Sequence, residues 1–164
     1  PPRSTLFPYT TLFRSRHRSI SCLLNRNDHS AKGEPLLAAC RKYGCQGKMI
    51  LHGGNDFPDF EKEIDIDALT APGMPTACII GGGEAAVHVR NRLLERGIDV
   101  PHEMEIIGLS GNRMVNYTCP SLATIQLDVQ GLMEAAFQLL ESGEDEIRVP
   151  TGFIPGRSIL QGGR

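Results

Sequence analysis

One stretch of the chain, residues 75–110, constrains its fold more than any other. It contains an apolar run at residues 76–80, three glycines at 81–83, a helical pattern at 84–96 and a second apolar run at 104–109. This order of strand, glycine turn, helix and strand is typical of a βαβ unit, because parallel strands need a crossover connection. Both runs are almost continuously apolar, which is typical of strands covered on both faces. The sequence therefore predicts an α/β fold with a parallel sheet, and a ligand crevice at the carboxyl ends of its strands.

Composition narrows the class of protein further. Hydrophobic residues make up 40% and charged residues 22% of the 164 positions, which is typical of a soluble globular domain. No apolar run reaches the roughly 18 residues of a membrane span. A net charge of −2 gives no sign of a nucleic-acid-binding surface in this stretch of sequence. The five cysteines are an odd number without a C-x-x-C pair, so we expect reduced thiols in a cytoplasmic protein, and neither disulfides nor zinc.

The first fifteen residues do not follow the pattern of the rest. Residues 5–15, TLFPYTTLFRS, resemble the in-frame translation of a widely used sequencing adapter, so we treat residues 1–15 as an artefact. A basic targeting peptide is the alternative, but Pro8 would interrupt its amphipathic helix. The artefact would imply that the gene is truncated at this end and that an N-terminal part is missing.

The remaining elements follow from hydrophobic periodicity. A helix is predicted from Asp28 or Ser30 to Tyr43, with Gly44 as the residue after its C-cap. Another is predicted from an N-cap at Asp128, and a short one at residues 64–69. The predicted strands and extended segments lie at residues 19–24, 48–51, 122–127, 147–150 and 152–159.

Three motifs suggest enzyme or metal chemistry, and each is incomplete. Residues 81–86 satisfy G-x-G-x-x-A, the dinucleotide fingerprint of a Rossmann-type oxidoreductase, but the acidic residue that should end the next strand is missing, since Asp99 precedes that strand. Residues 108–112 approach the nucleophile elbow of hydrolases, but Asn112 breaks it. The histidines and acidic residues show no metal-ligand spacing, so no metal site is predicted.

Three segments together resemble one family. PTACIIGGGEAAVHVRNRLLERGIDVPHEMEIIGLSG looks like the block of strand, turn, helix and "RG-x-x-VP" in LacI/GalR-type transcription regulators. PSLATIQLDVQGLMEAAFQLLESG is similar to the strand and helix that follow it in the family. VPTGFIPGRSI resembles the closing segment. The resemblance covers roughly residues 16–159.

The resemblance implies a periplasmic-binding-protein-like sensor of two lobes, each a parallel Rossmann-like sheet with flanking helices, which clamps a small molecule, often a sugar. Residues 16–119 and 145–160 would form most of the C-terminal lobe, and residues 120–144 would be a segment of the N-terminal lobe. Operator DNA would be bound by a homodimer through a missing N-terminal helix-turn-helix. The resemblance implies a cytoplasmic protein without enzymatic activity, cofactor or membrane partner. A solute-binding protein of a transport system shares the fold and is the alternative.

The resemblance also assigns ligand-binding positions, several of which depart from the family pattern. Lys32 stands where the family often has an arginine, Gly82 and Gly83 where it has Asn-Asp, and Ser110 where it commonly has aspartate. Phe57 fits the place of an aromatic residue that stacks on a sugar. The full set of predicted ligand-binding residues is Asp28, Lys32, Phe57, Gly82, Gly83, Ser110 and Asp128. Either the effector differs from an ordinary sugar, or the regulator senses no small molecule.

The helix that begins at residue 129 should show the effect of a missing lobe. Its apolar stripe would lack the sheet that it evolved to cover, so we expect an exposed apolar patch, a tendency to aggregate and poor folding cooperativity. The exposed side of the helix at residues 84–96 is a candidate dimer surface by the same resemblance.

Overall fold

The computed structural model describes residues 17–109, 113–143 and 145–160. Its centre is one six-stranded sheet in the order β2-β1-β3-β4-β5-β6, in which every pairing is parallel except β5 with β6. The mostly parallel α/β fold predicted from the sequence is confirmed. The strands are β1 (Ser19–Asn25), β2 (Gln46–His52), β3 (Ala77–Gly81), β4 (Glu105–Leu109), β5 (Ala123–Gln126) and β6 (Gly152–Ile154).

Five α-helices accompany the sheet within the described residues. None of the described helices combines the length and the apolar content that crossing a membrane requires. The helices are α1 (Glu34–Lys42), α2 (Phe57–Glu63), α3 (Ile66–Thr70), α4 (Gly83–Glu95) and α5 (Val129–Ser142). Shorter helical turns are a 3₁₀ turn at Arg26–Asp28, a π-helical turn at His29–Gly33 and a 3₁₀ turn at Arg113–Tyr117.

The predicted βαβ unit is present as β3, α4 and β4. Its two strands pair in parallel from Ala77 opposite Glu105 to Gly81 opposite Leu109. Helix α4 packs close to β4, because a Cβ atom at Gly108 would lie 3.3 Å from the Cβ of Ala86. The missing side chain at this position allows the helix to approach the strand.

The core lies on both faces of the sheet, as the continuous apolar runs predict. Alternate residues of a strand point to opposite faces. In β3, Cys78 and Ile80 therefore belong to the cluster that includes helices α2, α3 and α4, whereas Ala77 and Ile79 belong to the cluster on the other face. The two covered faces explain why β3 carries no charged side chain.

The first predicted helix begins later than expected and ends as expected. Regular α-helix starts only at Glu34, because the 3₁₀ and π-helical turns occupy residues 26–33. Gly44 takes a positive φ of 72° after the helix. The Gly44 N–H donates to the Arg41 carbonyl (3.1 Å) and the Cys45 N–H to the Cys40 carbonyl (2.9 Å), which is the Schellman arrangement.

Helix α2 lies in the acidic segment, for which the sequence predicts only one short helix further along. Its start has an ordinary signal, since the Asp56 carboxylate accepts a hydrogen bond from the Asp59 N–H (3.3 Å). Pro58 occupies the first turn, where its missing N–H has no intrahelical partner to lose. The short predicted helix forms as α3, two residues later than expected at its start.

The C-terminal segment forms less strand than predicted. Of residues 152–159, only Gly152–Ile154 pair with β5. Gly156 then lies against the backbone of Leu122 and Ala123, closer than any side chain would allow. The chain leaves the ladder at this point, and Ser158 makes the next contacts with the sheet.

The segment at residues 120–144 divides between the sheet and an uncovered helix. Strand β5 pairs with β4, with Ile107 opposite Ala123, so it extends the same sheet as β1–β4. The following helix α5 has no buried residue. Phe137 is 62% and Leu140 83% exposed. The expected exposed apolar patch is present, whereas the boundary between two lobes stays a prediction.

Candidate functional site

A cleft of about 310 Å³ opens where β1, β2 and β3 end. This is the edge at which ligands bind in open parallel sheets, and the place predicted from the βαβ unit. The residues that line it come from the ends of these three strands, the turns after them, α2 and the start of α4. They are Asn25, Asn27, Asp28, His52, Gly54, Asn55, Phe60, Gly81, Gly82, Gly83, Glu84 and Ala85.

Asn25 ties the ends of β1 and β2 together on one side of the cleft. Its Nδ2 donates to the carbonyl oxygen of Gly54 (2.7 Å) and to Oδ1 of Asn55 (3.2 Å). Its Oδ1 accepts a hydrogen bond from the backbone N–H of Asn27 (2.9 Å). The carboxamide of Asn25 is thus held in one orientation, which gives the cleft a wall already in place before a ligand arrives.

Asp28 brings Lys32 to the edge of the cleft. The Lys32 Nζ lies 2.7 Å from Asp28 Oδ2, and both side chains are 38% exposed. Lys32 is not among the lining residues and reaches the site only through this pair. A half-exposed pair of this kind adds little to stability. Its importance for the site is that the cation compensates one of the carboxylates at the cleft.

The turn after β3 is shaped by three glycines. A Cβ atom at Gly81 would lie 2.6 Å from Cδ2 of Leu24, so a side chain there would force the buried Leu24 to shift. Gly82 has a φ of 91°, a conformation that other residues rarely adopt, and its Cβ position would have no neighbour within 4 Å. Helix α4 begins at Gly83, and Glu84 already places a carboxylate in its first turn. That carboxylate opposes the binding of a phosphate at this helix start.

His52, the last residue of β2, is the most deeply buried polar side chain of the cleft, at 2% exposure. Its ring meets that of Phe60 edge-on, with centroids 5.8 Å apart. Phe60 in turn contacts the ring of His88, also at 5.8 Å. Desolvation by burial lowers the pKa of both histidines below the ordinary 6.5, against the raising effect of nearby carboxylates. Both rings are therefore neutral at pH 7.

The structure brings together only part of the predicted ligand-binding set. Asp28, Gly82 and Gly83 line the cleft, and Lys32 lies beside it. Asp128 does not line it, because its carboxylate accepts a hydrogen bond from the Gly131 N–H (2.9 Å) and caps α5.

Two other predicted ligand-binding positions lack a described side chain. Ser110 lies outside the described residues. Phe57 begins α2, but its side chain is outside the described part. Their roles as ligand-binding residues stay predictions.

Sequence reasoning missed four residues that define the cleft. Asn25 and His52 end strands, and Asn55 belongs to the turn after β2. A signal was available, because polar residues directly after apolar runs collect at the carboxyl edge of a parallel sheet. Phe60 was not predictable in the same way, since it enters the cleft from α2, which the acidic composition of residues 56–67 concealed.

Enzyme chemistry gains no support from the site. Asp99 lies before β4 and contacts His102 (2.8 Å), away from the strand ends where a ribose would need an acid. Among the described residues, no group of three or more histidine, cysteine, aspartate and glutamate side chains has an arrangement suited to a metal ion.

The chain is similar to known proteins over most of its length. The family profile for a periplasmic binding protein-like domain matches residues 9–159. The HTH-type transcriptional repressor PurR of Escherichia coli O139:H28 is 35% identical over 115 residues, 63% of this chain and 34% of the relative. The HTH-type transcriptional regulator GanR of Bacillus subtilis is 30% identical over 88 residues, 53% of this chain and 27% of the relative. The chain thus spans less than half the length of these curated relatives.

Solved structures share the fold at low sequence identity. A periplasmic binding protein/LacI transcriptional regulator from Alkaliphilus metalliredigens, complexed with D-xylulofuranose, has a TM-score of 0.73 at 19% identity, covering 92% of this chain and 60% of that one. The Lac repressor bound to ONPG has a TM-score of 0.72 at 16% identity, covering 90% of this chain and 48% of that one.

Proposed function

The chain belongs to the periplasmic binding protein-like domain family, and on that premise we propose that it is the effector-sensing and dimerisation region of a bacterial LacI/GalR-type transcription regulator. The observation that carries the proposal is the cleft at the ends of β1, β2 and β3, in a chain whose relatives are named transcriptional regulators and repressors. The protein acts in the cytoplasm as a homodimer and has no enzymatic role. Operator DNA is bound by a helix-turn-helix that precedes this stretch of the full-length regulator.

The mechanism is a shift between two arrangements of lobes. A small molecule that binds better to one arrangement raises its population, and the change in dimer geometry alters the affinity for DNA. In this proposal the cleft residues form one half of the binding site. The second half faces them from the other lobe, which the apolar side of α5 helps to cover.

The charges at the cleft favour an uncharged effector. Asp28 and Glu84 place two carboxylates at its edge, and Lys32 pairs with Asp28. Both carboxylates would repel a negative charge on a ligand. Amide and imidazole groups from Asn25, Asn55 and His52 suit hydroxyl groups, and one structural neighbour was solved with the neutral sugar D-xylulofuranose. We therefore propose a sugar-like, uncharged effector.

Calorimetric titration of the full-length regulator, which carries both halves of the binding site, with D-xylulose, D-ribose and D-galactose tests the proposal. We expect at least one sugar to bind, and Asp28→Asn to weaken that binding about tenfold, because a hydrogen bond to a charged acceptor is lost. Asp99→Asn is the matched control, since Asp99 is exposed and lies outside the cleft. Equal losses in both variants, or no binding of any of the three sugars, would contradict the proposal.

Two alternatives predict different results in the same titration. A Rossmann-type oxidoreductase would bind NAD, which we expect not to bind because of the Glu84 carboxylate at the glycine turn. A solute-binding protein of a transport system would also bind a sugar, so it must be distinguished by the gene, which would begin with a secretory signal peptide. Five free cysteines suit a reducing compartment better than the periplasm.

A further inference from the structure

The ring of His52 is buried, and within the described part of the chain its nitrogens lack the hydrogen bonds that would compensate for their removal from water. Only 2% of the residue is exposed, and it lines the cleft. Neither Nδ1 nor Nε2 has a hydrogen-bond partner of good geometry among the described residues. A buried polar group without a partner destabilises a protein, so such a group usually has a functional reason to be there.

The surroundings of the ring keep it neutral. Desolvation is the main influence and lowers its pKa, and the Arg26 guanidinium acts in the same direction. The Gly54 backbone and the carboxylates of Glu63 and Asp28 raise the pKa, but the net direction is downward. A neutral imidazole carries one N–H donor and one acceptor nitrogen. A hydrogen bond between the Gly54 backbone and one ring nitrogen leaves the other nitrogen without a partner in the described structure.

The ring is also held in place before any ligand binds. Phe60 stands edge-on to it at 5.8 Å between centroids, and Phe60 is itself buried against His88. A ring fixed by packing loses little conformational freedom when it binds a ligand. The cleft therefore has an imidazole ring at its base whose position is fixed by packing.

We propose that His52 is a ligand-binding residue of this cleft, one ring nitrogen of which makes a hydrogen bond to a hydroxyl group of an uncharged ligand. The inference rests on the proposed function, because it needs an effector in the same cleft. It adds to that function a specific recognition group and a dependence on pH. The ligand favours the neutral ring, so affinity is full above the ordinary histidine pKa and falls as acid protonates His52.

The first test measures stability without any ligand. Replacing an unpartnered polar ring with an apolar one of similar size should be neutral or stabilising. We expect His52→Phe to leave the thermal unfolding midpoint unchanged or to raise it, with His102→Phe, an exposed histidine before β4, as the control. A midpoint well below that of the control would show that His52 serves the fold, and would overturn the inference.

The second test measures binding of D-xylulose by calorimetry. We expect His52→Phe to weaken it about tenfold or more, and His52→Gln, which keeps a donor and an acceptor, to weaken it less. Because burial lowers the pKa of His52, affinity in the unmodified chain should hold from about pH 7.5 down to the ordinary histidine pKa of 6.5, fall only below it, and change less in His52→Gln. Unchanged affinity in both variants, or the same pH dependence in His52→Gln as in the unmodified chain, would overturn the inference.

The two tests separate failure of the inference from failure of the proposed function. If the unmodified chain binds none of the sugars, the proposed sugar effector fails, whereas the stability of His52→Phe still reports on the role of the ring. If a sugar binds and Asp28→Asn weakens it but His52→Phe does not, the proposed function stands and the inference about His52 fails.

Discussion

Ser158 connects the C-terminal segment to two strands of the sheet through one buried hydroxyl group. Its Oγ donates to the carbonyl oxygen of Ile106 in β4 (2.7 Å) and accepts a hydrogen bond from the N–H of Ala123 in β5 (2.8 Å). Its backbone repeats the connection, since the Ile106 N–H donates to the Ser158 carbonyl (2.9 Å). The sequence resemblance assigns this serine to the closing segment of the family, but only the structure shows its hydrogen-bond partners.

We predict that Ser158→Ala lowers the free energy of unfolding by about 1–3 kcal/mol, because it leaves a buried N–H and a buried carbonyl without this partner. Denaturant titration measures the loss. Ser30→Ala is the control, since Ser30 is exposed and should change stability by less than about 0.5 kcal/mol. Equal effects of the two variants would show that the hydroxyl bridge does not stabilise the sheet.

The cleft residues show which side chains sequence reasoning can assign to a site. The glycines after β3 were predictable, because a tight turn between a strand and a helix often needs a backbone conformation that only glycine adopts easily. The depth of His52 was not, because its burial depends on Phe60 from another element and on the exact end of β2. Long-range contacts of this kind leave no local mark in the sequence.

At the scale of elements, the apolar runs predicted all five parallel strands to within two residues at either end. Helices α4 and α5 were predictable for a similar reason, since their apolar residues recur with helical spacing. Helix α2 was not predicted, although Asp56 and Pro58 are ordinary start signals. Its residues are mostly charged, and among its described side chains Phe60 is the one that belongs to the apolar core.

The exposed face of α5 leads to a prediction about solubility. Phe137 and Leu140 are exposed, and no residue of α5 is buried against the rest of the described structure. We therefore expect Phe137→Glu to change the free energy of unfolding by less than about 0.5 kcal/mol while reducing self-association of the chain. Sedimentation velocity measures the association, and denaturant titration the stability.

Leu93→Ala is the contrasting variant for this prediction, because Leu93 is fully buried in α4. It should lower the free energy of unfolding by about 2–5 kcal/mol. A loss of similar size in Phe137→Glu would mean that the α5 face is packed within the chain, contrary to the structure.

At the scale of the whole molecule, the order of strands could not be derived from the sequence. The runs predict strands and the crossover predicts parallel neighbours, but β1 lies between β2 and β3 rather than at an edge. That arrangement places the ends of β1, β2 and β3 side by side and so creates the cleft. The site is therefore a product of topology, even though each of its strands was predictable alone.

Sequencing the source DNA upstream of the codon for Arg16 tests the proposal that this chain is the effector-binding part of a transcription regulator. We expect the same reading frame to encode a helix-turn-helix, a hinge and the first part of a second lobe. A secretory signal peptide in that position would contradict the claim and identify a transport receptor, and genuine genomic DNA encoding TLFPYTTLFRS would contradict the adapter interpretation.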